Sequence, residues 1–304
     1  MHGHSHAHDH RHGASTRAFA AITLINLAFT ALEAGYGFAT DSLALLSDAL
    51  HNLGDVLGLG LAWGAAVLAK RRPSGRHTYG WRRATLLSPL ANATLLIGFS
   101  GALAWEAVRR MGAPPQIPAM PVIVIAAIGI VVNLGAAWFV RDGHAHDLNR
   151  RGAYLHLVAD AAVSLAAVLA GIGMLKLGWA WLDPATALLV GAVVAVGAFA
   201  LLRDSFDATM DAVPPGIDQA AVQAFLAAQP GVSAVHHVHI WPLGAGDVAM
   251  TAHLVRDRTD DHDLFIAGVV EALDARFGIH HPTLQIEHGA ACGQGAHAGS
   301  GHRH

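Results

Sequence analysis

The chain of 304 residues contains 53% hydrophobic and 13% charged residues, whereas soluble domains contain about 25% charged residues. We therefore expect most of the chain to lie in a membrane. The net charge of -3 gives no indication of nucleic-acid binding, and the single cysteine, Cys292, excludes an intrachain disulfide and a thiolate cluster within one chain. Because 22 histidines accompany 22 acidic residues, imidazoles and carboxylates would have to supply any metal ligands.

Six apolar segments are long enough to cross a bilayer, which requires about 20 residues. They cover residues 18–39, 43–69, 85–108, 119–140, 153–175 and 184–203. The links after the second and fourth segments are rich in Lys and Arg and are predicted to be cytoplasmic, although Arg109 and Arg110 beside the third link weaken this signal. Six spans then place both termini in the cytoplasm. The opening MHGHSHAHDHRHG lacks the apolar core of a cleavable signal peptide.

Charged residues interrupt the second segment in the stretch DALHNLGD, residues 48–55. Each costs roughly 2.5 to 3.5 kcal/mol near the bilayer centre, which favours a functional site that faces the protein interior. His51 and Asp55 are four residues apart and therefore share a helix face. At about 1.5 Å per residue from Ser42, His51 lies roughly 13 Å deep, close to the bilayer midplane.

The fifth segment repeats this spacing in YLHLVAD, with His156 and Asp160. If the two helices face each other, two imidazoles and two carboxylates converge, which matches the tetrahedral N/O coordination of Zn(II) and suits Mg(II) and Ca(II) poorly. A proton relay without metal fits the same spacing, and separate hydrogen-bonded packing residues are the structural alternative. An intramembrane metalloprotease would require H-E-x-x-H, which the sequence lacks, so we predict that the protein is not an enzyme.

Other polar residues in the segments have milder interpretations. Asp48 is expected to be a hydrogen-bonding partner of an imidazole or of a helix start rather than a ligand. Four residues are expected to line the interior or to bridge helices: Asn26, Glu33, Asn92 and Asn133. Of these, Glu33 is a candidate for the proton path. The sequence predicts that the His-rich N-terminal tract and the GHAHD link with His144 and His146 either collect cytosolic zinc or are dispensable.

After Arg203 the sequence predicts a small α+β domain. A helical pattern over 217–228 precedes strand patterns over 234–241 and 247–255, a helical pattern over 261–277 and a strand pattern over 283–287. The order αββαβ fits one sheet packed on one layer of helices, in a ferredoxin-like arrangement. Strand alternation separates His236 from His237 and places His239 on the side of His237.

Four stretches carry a family resemblance: SLALLSDALHNLGD, RHTYGWRRATLL, DLNRRGAYLHLVAD and VHHVHIWPL. Over about residues 15–288 the chain resembles the cation diffusion facilitator family, and in particular its zinc-exporting bacterial branch. The resemblance implies a homodimer that exchanges cytosolic metal for protons. It implies a transport site made of His51, Asp55, His156 and Asp160, in which the first histidine favours zinc over manganese or iron.

The resemblance also implies further metal sites. Four residues match the cytosolic site of the relatives: His236, His253, His280 and Glu287. If the strand register differs, the substitutes are His237, His239, His281 and His288, and exposed polar residues of an ordinary sheet are the structural alternative. His77 lies where relatives place a loop metal site, and a structural or headgroup-facing role is its alternative.

We therefore predict a Zn(II)/H⁺ antiporter of the bacterial inner membrane with four regions. These are a His-rich cytosolic tail (1–16), a six-helix transport domain (17–211), a cytosolic metal-binding dimerisation domain (212–288) and a disordered tail (289–304). It would use no cofactor and bind no nucleic acid, with Zn(II) as transported substrate and as a structural or regulatory ion. A membrane-bound metal sensor is the alternative, as is a transporter with Co(II), Cd(II) or Ni(II) as main substrate, since N/O sites bind all of these ions.

Overall fold

The computed structural model describes residues 10–141, 148–257 and 261–289. Its first six helices are α1 (His10–Thr40), α2 (Leu43–Ala69), α3 (Ala84–Met111), α4 (Ala119–Val140), α5 (Leu148–Leu177) and α6 (Leu182–Thr209). Each contains one predicted apolar segment. Within the described residues, α2 to α6 each contain a stretch long and apolar enough to cross a membrane. The predictions for residues 1–9, for His144 and His146, and for residues 290–304 fall outside the described residues.

The chain divides into two compact units, of which the first contains residues 1–61 and 91–201 and the second contains residues 62–90 and 202–304. In the first unit, apolar side chains of α1, α2, α4 and α5 share one core that includes Phe29, Leu45, Val122 and Ala167. Glycine allows close helix packing here: a Cβ at Gly54 of α2 would lie 2.3 Å from Cδ2 of Leu96 on α3. The backbone of α2 therefore runs close to its neighbour.

The start of α2 is held by a carboxylate that lies far away in sequence. Oδ1 of Asp183, in the first turn of α6, accepts hydrogen bonds from the hydroxyl of Ser42 at 2.6 Å and the amide of Ala44 at 3.2 Å. Its Oδ2 accepts from the amide of Leu43 at 2.9 Å. The first amides of a helix have no intrahelical acceptor, and Asp183 is fully buried. This cap fixes the beginning of the helix that carries His51 and Asp55.

In the second unit, the described elements after α6 are α7 (Gln219–Ala227), β1 (Val232–Gly244), β2 (Asp247–Arg256), α8 (His262–Phe277) and β3 (His281–Glu287). The predicted order αββαβ is confirmed. The sheet order is β1-β2-β3, in which β1 and β2 are antiparallel and β2 and β3 are parallel. Buried apolar residues of both helices and of the sheet form one core, which includes Val222, Leu226, Leu254 and Leu273.

The link between α2 and α3 also belongs to the second unit, and it contacts the turn between β1 and β2. Arg82 donates to the carboxylate of Asp247 at 2.9 Å, and the amide of Ala245 donates to the hydroxyl of Thr85 at 2.8 Å. The contact is close, because a Cβ at Gly244 would lie 2.8 Å from the carbonyl oxygen of Arg82. The start of α3 is thereby attached to the sheet.

Candidate metal centre

The side chains of His51, Asp55, His156 and Asp160 converge between α2 and α5. Each offers one ligand atom, and these four atoms all lie within 4.8 Å of one another. Nε2 of His51 lies 3.1 Å from Oδ1 of Asp160, and Nε2 of His156 lies 3.0 Å from Oδ2 of Asp55. Each imidazole therefore pairs with the aspartate of the other helix. Two nitrogen and two oxygen donors at this spacing form a set that tetrahedral Zn(II) accepts.

The four residues differ in their access to solvent. The Asp160 side chain is 4% exposed and lies near both imidazoles, since its Oδ2 is 3.6 Å from Nε2 of His156. The side chains of Asp55 and His156 are 38% and 46% exposed. Both border a cavity of about 470 Å³ that Asn26, Asn52 and Asn92 also line. An ion in this cavity would meet Asp55 and His156 first.

The cavity lies on one side of the four ligands along the helices. Its lining includes Leu59 on α2, Val140 at the end of α4 and Ala153 near the start of α5. These residues lie toward the end of α2 and the beginning of α5. The cavity therefore reaches the ligands from the side of the link between α4 and α5, which the distribution of Lys and Arg predicts to be cytoplasmic.

Two further acidic residues, Glu33 of α1 and Asp48 of α2, are fully buried beside the four ligands. Oδ2 of Asp48 accepts a hydrogen bond from the Ser164 hydroxyl at 2.9 Å, and Oε2 of Glu33 accepts one from the Asn52 amide at 3.2 Å. The partner of Asp48 is thus a serine of α5, rather than the imidazole or the helix start that the sequence suggested.

A second cluster lies on the sheet of the second unit, where His236, His253 and Glu287 offer three ligand atoms within 4.8 Å of one another. The Glu287 carboxylate joins the two imidazoles, because it lies 3.0 Å from Nε2 of His236 and 2.8 Å from Nδ1 of His253. His236 and His253 are directly opposite in the β1–β2 register. His280, which was predicted to join this cluster, does not belong to the group of three in the described part of the chain, and its Nε2 lies 3.5 Å from Oδ1 of Asp274 on α8.

The expectation that side chains alternate regularly between the two faces of β1 was wrong. The register shifts between His236 and His239, and His237 adopts a left-handed backbone with a φ of 52°. This β-bulge re-aims the side chains. As a result the rings of His236 and His237 both lie 5.1 Å from the ring of His253, although strict alternation would place them on opposite faces.

The remaining predicted histidines lie apart from both clusters. His77 stacks on Trp81 with ring centroids 4.3 Å apart. His281 lies 3.1 Å from Arg82, and Nδ1 of His288 lies 2.9 Å from the carbonyl oxygen of Arg256. Neither these three nor His239 belongs to a group of three or more candidate ligands among the described residues.

Two residues that support the site were not identified from the sequence. Ser164 donates a hydrogen bond to Asp48. The sequence could have identified it, because it lies four residues after Asp160 and so on the same helix face. Asp183 caps α2 from the other end of the sequence. Its only signal is an acidic residue at the edge of the sixth apolar segment, and nothing local to that segment identifies its partner.

Two family models match the chain. One is described as "Cation efflux transmembrane domain" and matches residues 19–209, and the other is described as "Cation efflux protein, cytoplasmic domain" and matches residues 214–289. The first contains the four ligands between α2 and α5. The second contains the cluster on the sheet.

Curated relatives match over nearly their whole length. The metal cation efflux system protein CzcD of Cupriavidus metallidurans is 34% identical over 90% of this chain and 87% of its own. The cadmium, cobalt and zinc/H(+)-K(+) antiporter of Bacillus subtilis is 32% identical over 90% of each chain, and the zinc transporter ZitB of Escherichia coli is 33% identical over 92% and 91%. The solved metal-bound C-terminal domain of the Cupriavidus CzcD transporter is 33% identical and covers 23% of this chain and 99% of that one, with a TM-score of 0.22.

Proposed function

This chain belongs to the cation efflux, or cation diffusion facilitator, family, and on that premise we propose that it exports Zn(II) from the cytosol in exchange for protons. The observation that carries the proposal is the convergence of His51, Asp55, His156 and Asp160 in helices apolar enough to cross a membrane. Charged groups at such depth are costly, and they persist where they bind substrate or carry protons. The names of the relatives, which include zinc, cadmium and cobalt, agree with this ligand set.

The ligand chemistry couples the ion to protons. Coordination needs neutral imidazoles and ionised carboxylates, so protons and metal compete for the same atoms. His51 and His156 each face an aspartate, and two protonated imidazoles balance the two carboxylates as one divalent ion does. The exchange of an ion for two protons therefore leaves the net charge of the whole site, with the bound ion or protons included, unchanged.

Alternating access would come from rocking of helices around this midplane site. The cavity that reaches Asp55 and His156 from the side of the α4–α5 link supports an inward-open state. The proposal includes six spans with both termini in the cytoplasm, because the links after α2 and α4 are rich in Lys and Arg. It also includes the inner membrane of a bacterium, because the relatives named above are bacterial.

The ferredoxin-like domain is proposed to regulate a homodimer. His236, His253 and Glu287 supply three ligands, fewer than the four of a closed structural zinc site. Zinc that binds here as its cytosolic concentration rises would favour one arrangement of the dimer. Such an effect is limited to the difference in affinity between the two arrangements, typically about 1 to 3 kcal/mol. We therefore propose graded control of transport by this domain.

The proposal is tested by flux into proteoliposomes that contain the purified protein. Zn(II), Cd(II), Co(II), Ni(II), Mn(II) and Mg(II) are offered singly, with and without a pH gradient, and vesicles with the Asp160→Asn variant are the control. We expect Zn(II) uptake that depends on the gradient and on Asp160, with little Mg(II) uptake. Zinc binding without flux of any ion would contradict transport and favour a metal sensor. A larger flux of another ion would reassign the main substrate.

A further inference from the structure

The membrane unit contains a buried acidic pair that the four-ligand site does not use. Glu33 lies on α1 and Asp48 on α2, and neither side chain is exposed. Asp48 lies three residues before His51, and its partner Ser164 lies four residues after Asp160. These spacings correspond to about 4.5 and 6 Å along the respective helices. Asp48 is therefore about one turn from the ligands, toward the start of α2, whereas Asn52, the donor to Glu33, lines the cavity.

The hydrogen bonds of the pair use only one oxygen of each carboxyl group. Ser164 donates to Oδ2 of Asp48, and Asn52 donates to Oε2 of Glu33. The other two oxygens, Oε1 of Glu33 and Oδ1 of Asp48, are buried and have no hydrogen-bond donor among the described residues. Asn52, the donor to Glu33, lies four residues after Asp48 and so on the same face of α2, which brings the carboxyl group of Glu33 to that of Asp48.

Two ionised carboxylates offer only acceptors, so a hydrogen bond between them requires a proton on one. A single proton shared by the two carboxyl groups gives them a hydrogen bond to each other and removes the repulsion of two buried like charges. The charged groups that act on Asp48 from outside the pair are His51 on α2 and Asp160 on α5. Neither contributes a donor to the two orphaned oxygens, so the shared proton is the simplest way to complete this network.

We propose that Glu33 and Asp48 form a proton-binding site that is separate from the metal ligands, holds one proton between the two carboxyl groups, and loses it when a divalent cation binds to the four-ligand site. The second half of this inference rests on the proposed function. When the ion arrives, the O–H bond of the carboxylic acid breaks and the proton passes to water. The charge of the pair falls from -1 to -2.

The position of the pair gives a reason for the coupling. The proton and the cation would both be positive charges in a poorly screened interior, about one helical turn apart, so each disfavours the other. Asp48 also lies on the side of the ligands toward the Thr40–Asp41 turn, which is predicted to face outward. Protons that enter from outside would reach Asp48 before the imidazoles. The pair therefore suits a site that reloads with a proton as the cation is released.

The test uses infrared difference spectroscopy on the purified full-length protein in lipid nanodiscs, without metal and with Zn(II). Wild type is expected to show the carbonyl band of a protonated carboxylic acid, sensitive to exchange into D₂O and lost on zinc addition. The matched variants are Glu33→Gln and Asp48→Asn, because each amide can donate to the remaining carboxylate and keep the hydrogen bond without a titratable proton. We expect the band to be absent from both.

A second measurement counts the protons released per zinc ion in weakly buffered solution. Glu33→Gln is expected to bind zinc and to release fewer protons than wild type, by up to one per ion. The shared proton would be overturned if wild type without metal lacks the carbonyl band, or if the band persists in both amide variants. A band that survives zinc binding would overturn the coupling.

The Asp160→Asn variant separates these failures from a failure of the proposed function. If Asp160 is a metal ligand, this variant keeps the metal-free band and loses its response to zinc. If wild type itself neither binds nor transports zinc, the band of the metal-free protein still reports on the pair alone.

Discussion

Replacement of Asp160 by asparagine tests the transport site most directly. This residue is the most buried of the four ligands and lies near both imidazoles, 3.1 Å from His51 and 3.6 Å from His156. Asparagine keeps its volume but removes the negative charge. Four-ligand zinc sites bind with about 10 to 16 kcal/mol, so one ligand contributes about 2.5 to 4 kcal/mol if the contributions are equal. At about 1.4 kcal/mol per tenfold, zinc affinity should fall about 10²- to 10³-fold.

The assay is titration calorimetry with zinc on the full-length protein, in a Glu287→Gln background that weakens the cytosolic cluster. Asp55→Asn is the matched comparison, since Asp55 forms its ion pair with His156 whereas Asp160 lies near both imidazoles, and its loss of affinity should be of similar size or smaller. Zinc flux into proteoliposomes should be lost in the Asp160 variant while the protein remains folded in the membrane. An affinity within threefold of the parent, or wild-type flux, would refute the assignment.

Three further outcomes are expected. Asp183→Ala leaves up to three buried donors at the start of α2 without an acceptor, and each unpaired donor costs about 1 to 3 kcal/mol. In thermal unfolding in detergent, Asp183→Ala should therefore lose more stability than Asp183→Asn. Equal losses would exclude the capping role. The double variant His253→Ala with Glu287→Ala should weaken zinc binding by the second unit's cluster and reduce flux at low zinc without abolishing it, so a fully inactive protein would contradict graded control. Deletion of residues 2–12 should change flux only modestly, because such a tract raises local metal concentration without forming the path, and complete loss in a normally expressed protein would show otherwise.

Periodic patterns predicted most of the fold, because each depends on local sequence. The six apolar segments lie within six helices, and the repeated H-x-x-x-D spacing placed two candidate ligands on one face of α2 and two on one face of α5. Non-local contacts could not be predicted in this way. The Asp183 carboxylate reaches residues about 140 positions earlier, and no local pattern encodes that pairing.

The cluster on the sheet of the second unit shows where the expectation of regular strand alternation fails. Alternation assumes a regular β1, whereas the left-handed conformation of His237 introduces a bulge and turns its ring toward His253. A non-glycine residue with positive φ is uncommon, and nothing in VHHVHIWPL marks this position for it. The position of His280 is also hard to predict from the sequence, because this residue follows α8 and its placement depends on where that helix ends.

The crossed pairing of the imidazoles and aspartates has a consequence for turnover. Because His51 and His156 pair with the aspartates of the opposite helices, these contacts hold the four donor atoms close together, and little rearrangement is needed to capture an ion. Each bond to the ion must, however, replace a hydrogen bond that already exists, so the net gain on binding is smaller than the ligand count suggests. A carrier must bind its cargo well enough to collect it and loosely enough to release it. The same pairing therefore favours both the capture and the release of the ion.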